Sequence, residues 1–249
     1  MAAVRLVQLT DPHLVGDPAA EMRGVRTLDT LRRVLRGAAA EIAAADALLL
    51  TGDLVHDDAG GYARIREELG GLGRPVLCIP GNHDDPRLLR EALPDPPFRH
   101  LGHHDFGAWR VVMLDSTIAG EAAGELSPGE LGRLAAALAP GSPPHALVAL
   151  HHQPLPVGSA GLDGVGLRNS AALQAMVAGL PTVRALLGGH VHQESDQRIG
   201  AVRVLTSPST CMQFRPRAPG FEIDARGPAC RLLQLLPDGD IATEVRWFD

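Results

Sequence analysis

The sequence predicts an α/β protein, because short apolar runs of strand length alternate with helical patterns and the chain closes in a β-rich section. Runs at residues 4–9, 47–50, 76–79, 111–114, 146–150 and 184–187 mostly lack polar alternation, as strands buried on both faces do. Between them, helical spacing recurs at Leu28, Leu31, Leu35, Ala38 and Ile42, and again at Leu131, Leu134 and Leu138. The second pattern carries a start signal: Ser127 as cap, Pro128 at the first helical position, and Glu130 to complete a capping box. This alternation implies βαβ units and sheets covered on both sides. Further strands are expected at 202–206, 231–236 and 241–245, the last two joined by the turn Pro237-Asp238-Gly239-Asp240. The simplest arrangement is one domain over residues 1–249, with a β-rich section from about 200 to 249 packed on the α/β core. The stretch 213–228, rich in Pro, Arg and Gly, is expected to be irregular.

Composition narrows the function classes. The chain has 249 residues, 45% hydrophobic and 21% charged, which suits a globular protein that buries its core without disulfides. A formal net charge of −6, with no basic stripe interleaved with aromatics, argues against duplex nucleic acid as the main partner. Cations bound at Asp11 and Asp53 would offset part of that negative charge. Cys78, Cys211 and Cys230 lack metal-type spacing, and Cys78 lies in an apolar run as a small core residue does. The chain begins directly in a strand-like segment without a secretory pattern, and no run approaches about 18 apolar residues. A cytoplasmic location without a membrane partner is the resulting expectation.

The chemistry is concentrated where strands end. Leu9-Thr10-Asp11-Pro12-His13 follows the first strand, Leu50-Thr51-Gly52-Asp53 ends the second, and Ile79-Pro80-Gly81-Asn82-His83-Asp84 ends the third. Leu150-His151-His152-Gln153-Pro154 and Gly188-Gly189-His190-Val191-His192 end two later ones. Ligand crevices of α/β sheets lie beyond the carboxyl ends of strands, so the five loops converge there. Each motif alone is weak, whereas the full ordered set points to a metal site. Imidazole nitrogen with carboxylate or amide oxygen suits Mn, Fe, Zn, Ni or Co. Two ions about 3.5–4 Å apart need a bridging carboxylate, for which Asp53 is the natural candidate. Glycine before Asp53, Asn82 and His190 is expected to let the backbone turn sharply. His56, His100, His103, His104 and His145 are expected on the surface or in loops, with the His103-His104 pair able to lie near the cleft. His152 is expected to pack behind His151.

The ordered set Asp-x-His, Gly-Asp, Gly-Asn-His-Asp, His and Gly-His-x-His resembles the calcineurin-like metallophosphoesterase superfamily over most of the chain. Thr51-Gly52-Asp53-Leu54 followed by Tyr62, and residues 207–214 (Ser-Pro-Ser-Thr-Cys-Met-Gln-Phe) followed by Phe221 and Asp224, narrow it further. These are similar to class III bacterial cyclic-AMP phosphodiesterases, in which a Ser-Thr-Cys-x-Gln-Phe segment follows Gly-His-x-His-Gln. The resemblance implies a four-layer double β-sandwich flanked by helices. It also implies two divalent transition-metal ions, Fe and/or Mn, with Zn, Co or Ni as alternatives. One ion would take Asp11, His13, Asp53 and His192, and the other Asp53, Asn82, His151 and His190. The implied reaction is hydrolysis of 3',5'-cyclic AMP to AMP. Ala229-Cys230-Arg231, where an aromatic is expected before the arginine, and the Arg- and Pro-rich stretch 215–220 depart from the pattern. Both leave the ligand set intact and bear on substrate identity.

In the expected mechanism, the cations activate a water for in-line attack on phosphorus. His83 donates a proton to the leaving oxygen, and Asp84 holds His83 in the required tautomer. Asn82, His83 and His192 are expected to touch substrate, with Gln213 and Phe214 on the nucleoside side. The expected partner is a small cyclic nucleotide or phosphodiester, and a homodimer is left open. Competing readings are a general phosphodiesterase, a nucleotide phosphatase or nuclease, and a non-catalytic scaffold, against which every ligand position being filled argues.

Overall fold

A computed structural model describes residues 2–94 and 96–248. Its first sheet is built on the parallel strands β1 (Val4–Leu9), β2 (Ala47–Thr51), β3 (Val76–Ile79) and β4 (Phe98–His100). The second contains β5 (Gly102–Phe106), β6 (Trp109–Met113), β7 (His145–Ala149), β8 (Val183–Gly188), β9 (Ser195–Ile199) and β10 (Val202–Thr206), in the order β5-β6-β7-β8-β10-β9. A small hairpin pairs β11 (Gln213–Phe214) with β12 (Ile223–Asp224). The strands β13 (Ala229–Leu235) and β14 (Ile241–Trp247) then return antiparallel beside β1, so the first sheet runs β14-β13-β1-β2-β3-β4.

Strand parity divides the side chains among three cores, since successive residues point to opposite faces. Leu6, Leu49, Leu77, Val111, Leu147 and Leu187 meet between the sheets. Val7, Leu48, Leu50 and Cys78 face helices α1 (Thr27–Gly37), α2 (Ala39–Ala44), α3 (Gly61–Leu69) and α4 (Pro86–Ala92). Val112, Val148, Leu186 and Val204 face α5 (Pro128–Ala137) and α7 (Ser170–Ala178), with the short α6 (Ala160–Asp163) preceding α7. The result is helix, sheet, sheet, helix, as expected. It explains why the central strands read as unbroken apolar runs: both of their faces are buried.

The strands of the C-terminal section join the core sheets themselves, since β13 and β14 extend the first sheet and β10 belongs to the second. Three local expectations are corrected. The helical pattern 28–42 divides at Ala38, where the Phe248 ring closes on Gly37: a Cβ there would lie 2.3 Å from it. Ser127 caps α5 by accepting from the Glu130 N–H at 3.1 Å, but the Glu130 carboxylate accepts from the Asp115 N–H instead of closing a capping box. The 213–228 stretch contains the β11–β12 hairpin. Besides the strands of that hairpin, the sequence carries no strand signal for β4, β5 and β9, which are sheet edges. Their alternating or largely polar sequences carry no buried run.

Candidate metal centre

Five parallel strands deliver the candidate ligands to one crevice. The loops after β1, β2 and β3 bring Asp11 with His13, Asp53, and Asn82, while those after β7 and β8 bring His151 and the pair His190 and His192. Backbone hydrogen bonds stitch these loops together: Asp11 N–H to Gly52 O at 3.1 Å, His13 N–H to Asp53 O at 3.0 Å, and Gly189 N–H to His151 O at 3.1 Å. Asp11, His13, Asp53, His190 and His192 all have positive φ, between 47° and 67°. They are five of the nine non-glycine residues with that conformation among the described residues. Each such residue costs about 1–3 kcal/mol, so strain is concentrated where the donors converge.

Close approach, more than turning, explains the glycines. Gly52 does take φ +97°, and a Cβ there would lie 2.2 Å from His151 Nδ1. Gly189 carries no left-handed φ; a Cβ at this position would lie 2.1 Å from Thr10 Oγ1 and 2.7 Å from Asp11 Oδ2. The sharp-turn expectation therefore holds for Gly52 and is replaced by packing at Gly189 and at Gly81, where a Cβ would meet Asp53 at 2.3 Å.

Asp53 Oδ2 lies between two imidazoles, 3.6 Å from His13 Nε2 and 3.4 Å from His151 Nε2. Its other oxygen accepts from the His83 N–H at 2.9 Å. On one side, His192 Nε2 is 3.5 Å from Asp11 Oδ1 and 3.3 Å from His13 Nε2. On the other, Asn82 Oδ1 is 3.3 Å from His151 Nε2. Donors about 2.1 Å from a tetrahedral ion stand about 3.4 Å from one another, which these spacings match.

Backbone carbonyls select the tautomers. His192 Nδ1 faces Met212 O at 2.7 Å, His151 Nδ1 faces Thr51 O at 2.9 Å, and His190 Nε2 faces Val165 O at 3.1 Å. Donation to these oxygens leaves the opposite ring nitrogen with a lone pair, as metal-ligating histidines require. His13 Nδ1 meets His56 Nδ1 at 3.2 Å, and Nε2 is free for a metal when His13 is the donor of that pair. The 3.3 Å approach of His13 Nε2 to His192 Nε2 needs one positive charge between the two nitrogens, a proton on His192 or a metal ion. With Asp11 and Asp53 beside them, these nitrogen and oxygen donors fit a divalent metal.

The electrostatics agree. Burial pushes His13 and His190 down to about 3, keeping both neutral. Burial also opposes charge on His151, yet the Asp53 carboxylate outweighs it and holds the imidazole up at about 9. His192 is raised in the same way by Asp11. Burial disfavours ionised Asp53, but His151 and His13 keep its carboxyl well below the ordinary range. Two buried carboxylates among imidazoles form a site that takes positive charge, as protons or as metal.

Several neighbours differ from the sequence reading. Asp84 does not reach the His83 ring; its carboxylate accepts from the Gly81, Leu54 and Val55 N–H groups and from the Tyr62 hydroxyl at 3.0 Å. Burial and nearby Asp53 push Asp84 up to about 7, and the residue braces the loops that carry Asp53 and Asn82. His83 Nδ1 instead meets Asp57 Oδ2 at 3.0 Å, a partner the sequence reading missed. Its only signal was proximity to Asp53, four residues earlier. His56, expected on the surface, is half-buried against His13 and His83, with ring centroids 5.2 and 4.5 Å away. Gln213 is fully buried and bonds Ser209 and Gly227, so it is a brace and not a substrate contact. His152 packs behind His151, between Ser116 and Ala122 O. His103 and His104 lie on β5, an edge strand.

Asn82, His83, His190 and His192 line a cavity of about 210 Å³ whose far wall is apolar and includes Phe214. A second cavity of about 720 Å³ opens on the other side of Asn82 and His83, beside Asp57 and Thr117.

A two-sheet sandwich with a histidine–aspartate cluster at the strand ends defines a class of phosphoesterase. Residues 4–194 match the calcineurin-like phosphoesterase family model, and the chain belongs to that family. It is 39% identical to the 3',5'-cyclic adenosine monophosphate phosphodiesterase CpdA of Haemophilus influenzae, over 98% of this chain and 89% of that one. It is 38% identical to CpdA of Pseudomonas aeruginosa, over 100% of this chain and 91% of the relative. Among solved structures, a dimetal phosphatase from Danio rerio shares the fold, with TM-score 0.69 and 13% identity over 100% of both chains. Among the described residues, no helix is long and apolar enough to cross a membrane.

Proposed function

We propose that this chain hydrolyses 3',5'-cyclic AMP to AMP at a dinuclear centre. Asp11, His13, Asp53 and His192 would hold one divalent ion, and Asp53, Asn82, His151 and His190 the other. The observation that carries this reading is the position of Asp53 Oδ2 between His13 Nε2 and His151 Nε2, at the base of the cavity lined by Asn82 and His83. The substrate is drawn from the CpdA relatives, which match nearly the whole chain. The nitrogen and oxygen donors suit Fe and Mn, with Zn, Co and Ni as alternatives. A cytoplasmic location goes with this substrate.

When bound, two such cations supply an acidified water as nucleophile and offset charge on the phosphoryl oxygens. The chain's own groups do the rest. Asn82, whose Oδ1 lies 3.3 Å from His151 Nε2 on the same side of the proposed centre, would turn its amide N–H toward a phosphoryl oxygen. His83 in its protonated form donates from Nε2 to the departing ribose oxygen, while Asp57 at Nδ1 orients the ring and stabilises its charge. His192 stays fixed by Met212 O, which prevents it from rotating out of the cavity floor.

Assay of metal-loaded protein against cyclic AMP, cyclic GMP and bis(4-nitrophenyl) phosphate, with metal analysis, tests this reading. AMP formation is expected. Brisk cleavage of the aryl diester without any cyclic AMP turnover would move the chain to the second reading, a general phosphodiesterase. That reading draws on the 720 Å³ cavity beside His83, which has room for a larger leaving group.

A further inference from the structure

The turn Met22-Arg23-Gly24-Val25 is a two-residue hairpin closed by Met22 N–H to Val25 O at 2.9 Å and Val25 N–H to Met22 O at 3.0 Å. Its central residues have φ of +52° and +81°, the signature of a type I′ turn. Asn, Asp or Gly ordinarily fills the first of these positions, because a long side chain is strained there. Here the position holds Arg23, whose guanidinium carbon lies 5.9 Å from the centre of the Phe214 ring. Phe214 in turn lies 4.7 Å from the His192 imidazole, tilted by 33°, so its ring continues directly from the candidate metal centre. Phe221 closes one side edge-on at 5.6 Å and remains 44% exposed, a large ring at the cavity mouth.

We propose that Arg23 and Phe214 form a slot that grips the base of the nucleotide, Phe214 against one face and the Arg23 guanidinium against the other. This rests on the cyclic-nucleotide reading above and assigns the residues that recognise the nucleoside. A flat ring between two planar groups needs roughly 7 Å, so the slot opens by about an ångström, which the exposed Arg23 side chain supplies without moving the turn. Apart from the histidines, Asp53 and Asn82 of the candidate centre, the cavity around the slot is lined by Met22, Ala122, Leu162, Val165 and Met212, which offer apolar surface and no side-chain hydrogen bond to a base edge. The slot therefore holds the face of a base and reads its edge weakly, so purine identity matters less than the presence of a base. A base held this way reaches back over His192 to place its phosphate beside Asn82 and His83.

Calorimetric binding of adenosine monophosphate and of inorganic phosphate to metal-loaded protein reads the slot without turnover. In Arg23→Gly and Phe214→Leu, the affinity for AMP relative to phosphate is expected to fall about tenfold, the usual size of a lost base-stacking contact. Phe214→Tyr keeps the ring face and should retain the wild-type ratio. Arg23→Lys keeps the charge but loses the plane, and should not restore it. Glycine adopts the turn freely, so Arg23→Gly should melt no lower than wild type. An unchanged AMP-to-phosphate ratio in Arg23→Gly, or a parallel loss for both ligands, overturns the slot. Absence of cyclic AMP turnover by the wild-type protein overturns instead the activity proposed above, and the AMP measurement still decides the slot.

Discussion

The Asp57 carboxylate lies 3.0 Å from His83 Nδ1, while Asp84, the immediate neighbour of His83 in sequence, turns away to bind three backbone N–H groups and the Tyr62 hydroxyl. The two acids flanking the candidate proton donor thus have different tasks, one electrostatic and one architectural.

Variants separate those tasks. His83→Ala should lower kcat by roughly two to four orders of magnitude with metal content near wild type, if the ring acts as the proposed proton donor and not as a ligand. Asp57→Asn should lower kcat by about tenfold, chiefly for poor leaving groups, with melting temperature unchanged. Asp84→Ala should act on stability first, since each backbone donor left without an acceptor costs about 1–3 kcal/mol. Thermal melts and kinetics of the three proteins side by side check this. Loss of metal from His83→Ala would place that residue among the ligands instead.

Asp53→Ala should release both metals of the proposed centre, because its carboxylate lies between His13 and His151, which stand on opposite sides of it. Metal analysis of protein purified under loading conditions is expected to fall from about two ions per chain to well below one. His190→Ala should spare more metal than Asp53→Ala, since it faces one side only. Equal retention in the two variants would show that Asp53 does not bridge.

Gly189→Ala tests the packing behind Asp11. The added methyl would lie 2.1 Å from Thr10 Oγ1 and 2.7 Å from Asp11 Oδ2, so the carboxylate must shift. Both metal content and melting temperature should drop. Gly71→Ala is the control, as nothing lies within 4 Å of its added methyl, and it should behave as wild type. A Gly189→Ala protein with full metal content would show that the β8 loop yields more than its contacts suggest.

Thiol reactivity probes the integrity of the cores. Cys78, Cys211 and Cys230 are all buried, and burial pushes the Cys230 thiol up to about 12. Because all three side chains are buried, labelling by a thiol reagent at pH 8 should be slow in the native protein and reach all three cysteines in denaturant. Rapid native labelling would reveal an opened core.

The residue types at the strand ends were readable from the sequence for a local reason. A strand buried on both faces shows itself as an apolar run, and the first polar groups beyond it stand at its carboxyl edge, where a crevice forms. Asp11, Asp53 and His190 each follow such a run within a few residues, so their convergence was legible before any coordinates. The helix start at Ser127 was legible for the same reason, since a cap and the N–H it binds are only three residues apart. Partners brought together across long stretches of chain were not. That Asp84 serves Tyr62, 22 residues away, that Gln213 is locked onto Gly227, and that Arg23 hangs over Phe214 depend on how the loops and the β11–β12 hairpin fold back over the sheets. The edge strands β4, β5 and β9 also became visible only once paired, because an edge buries too little to impose an apolar pattern. Local burial writes itself into composition, whereas the choice among several equally suitable hydrogen-bond and stacking partners is made by tertiary packing alone.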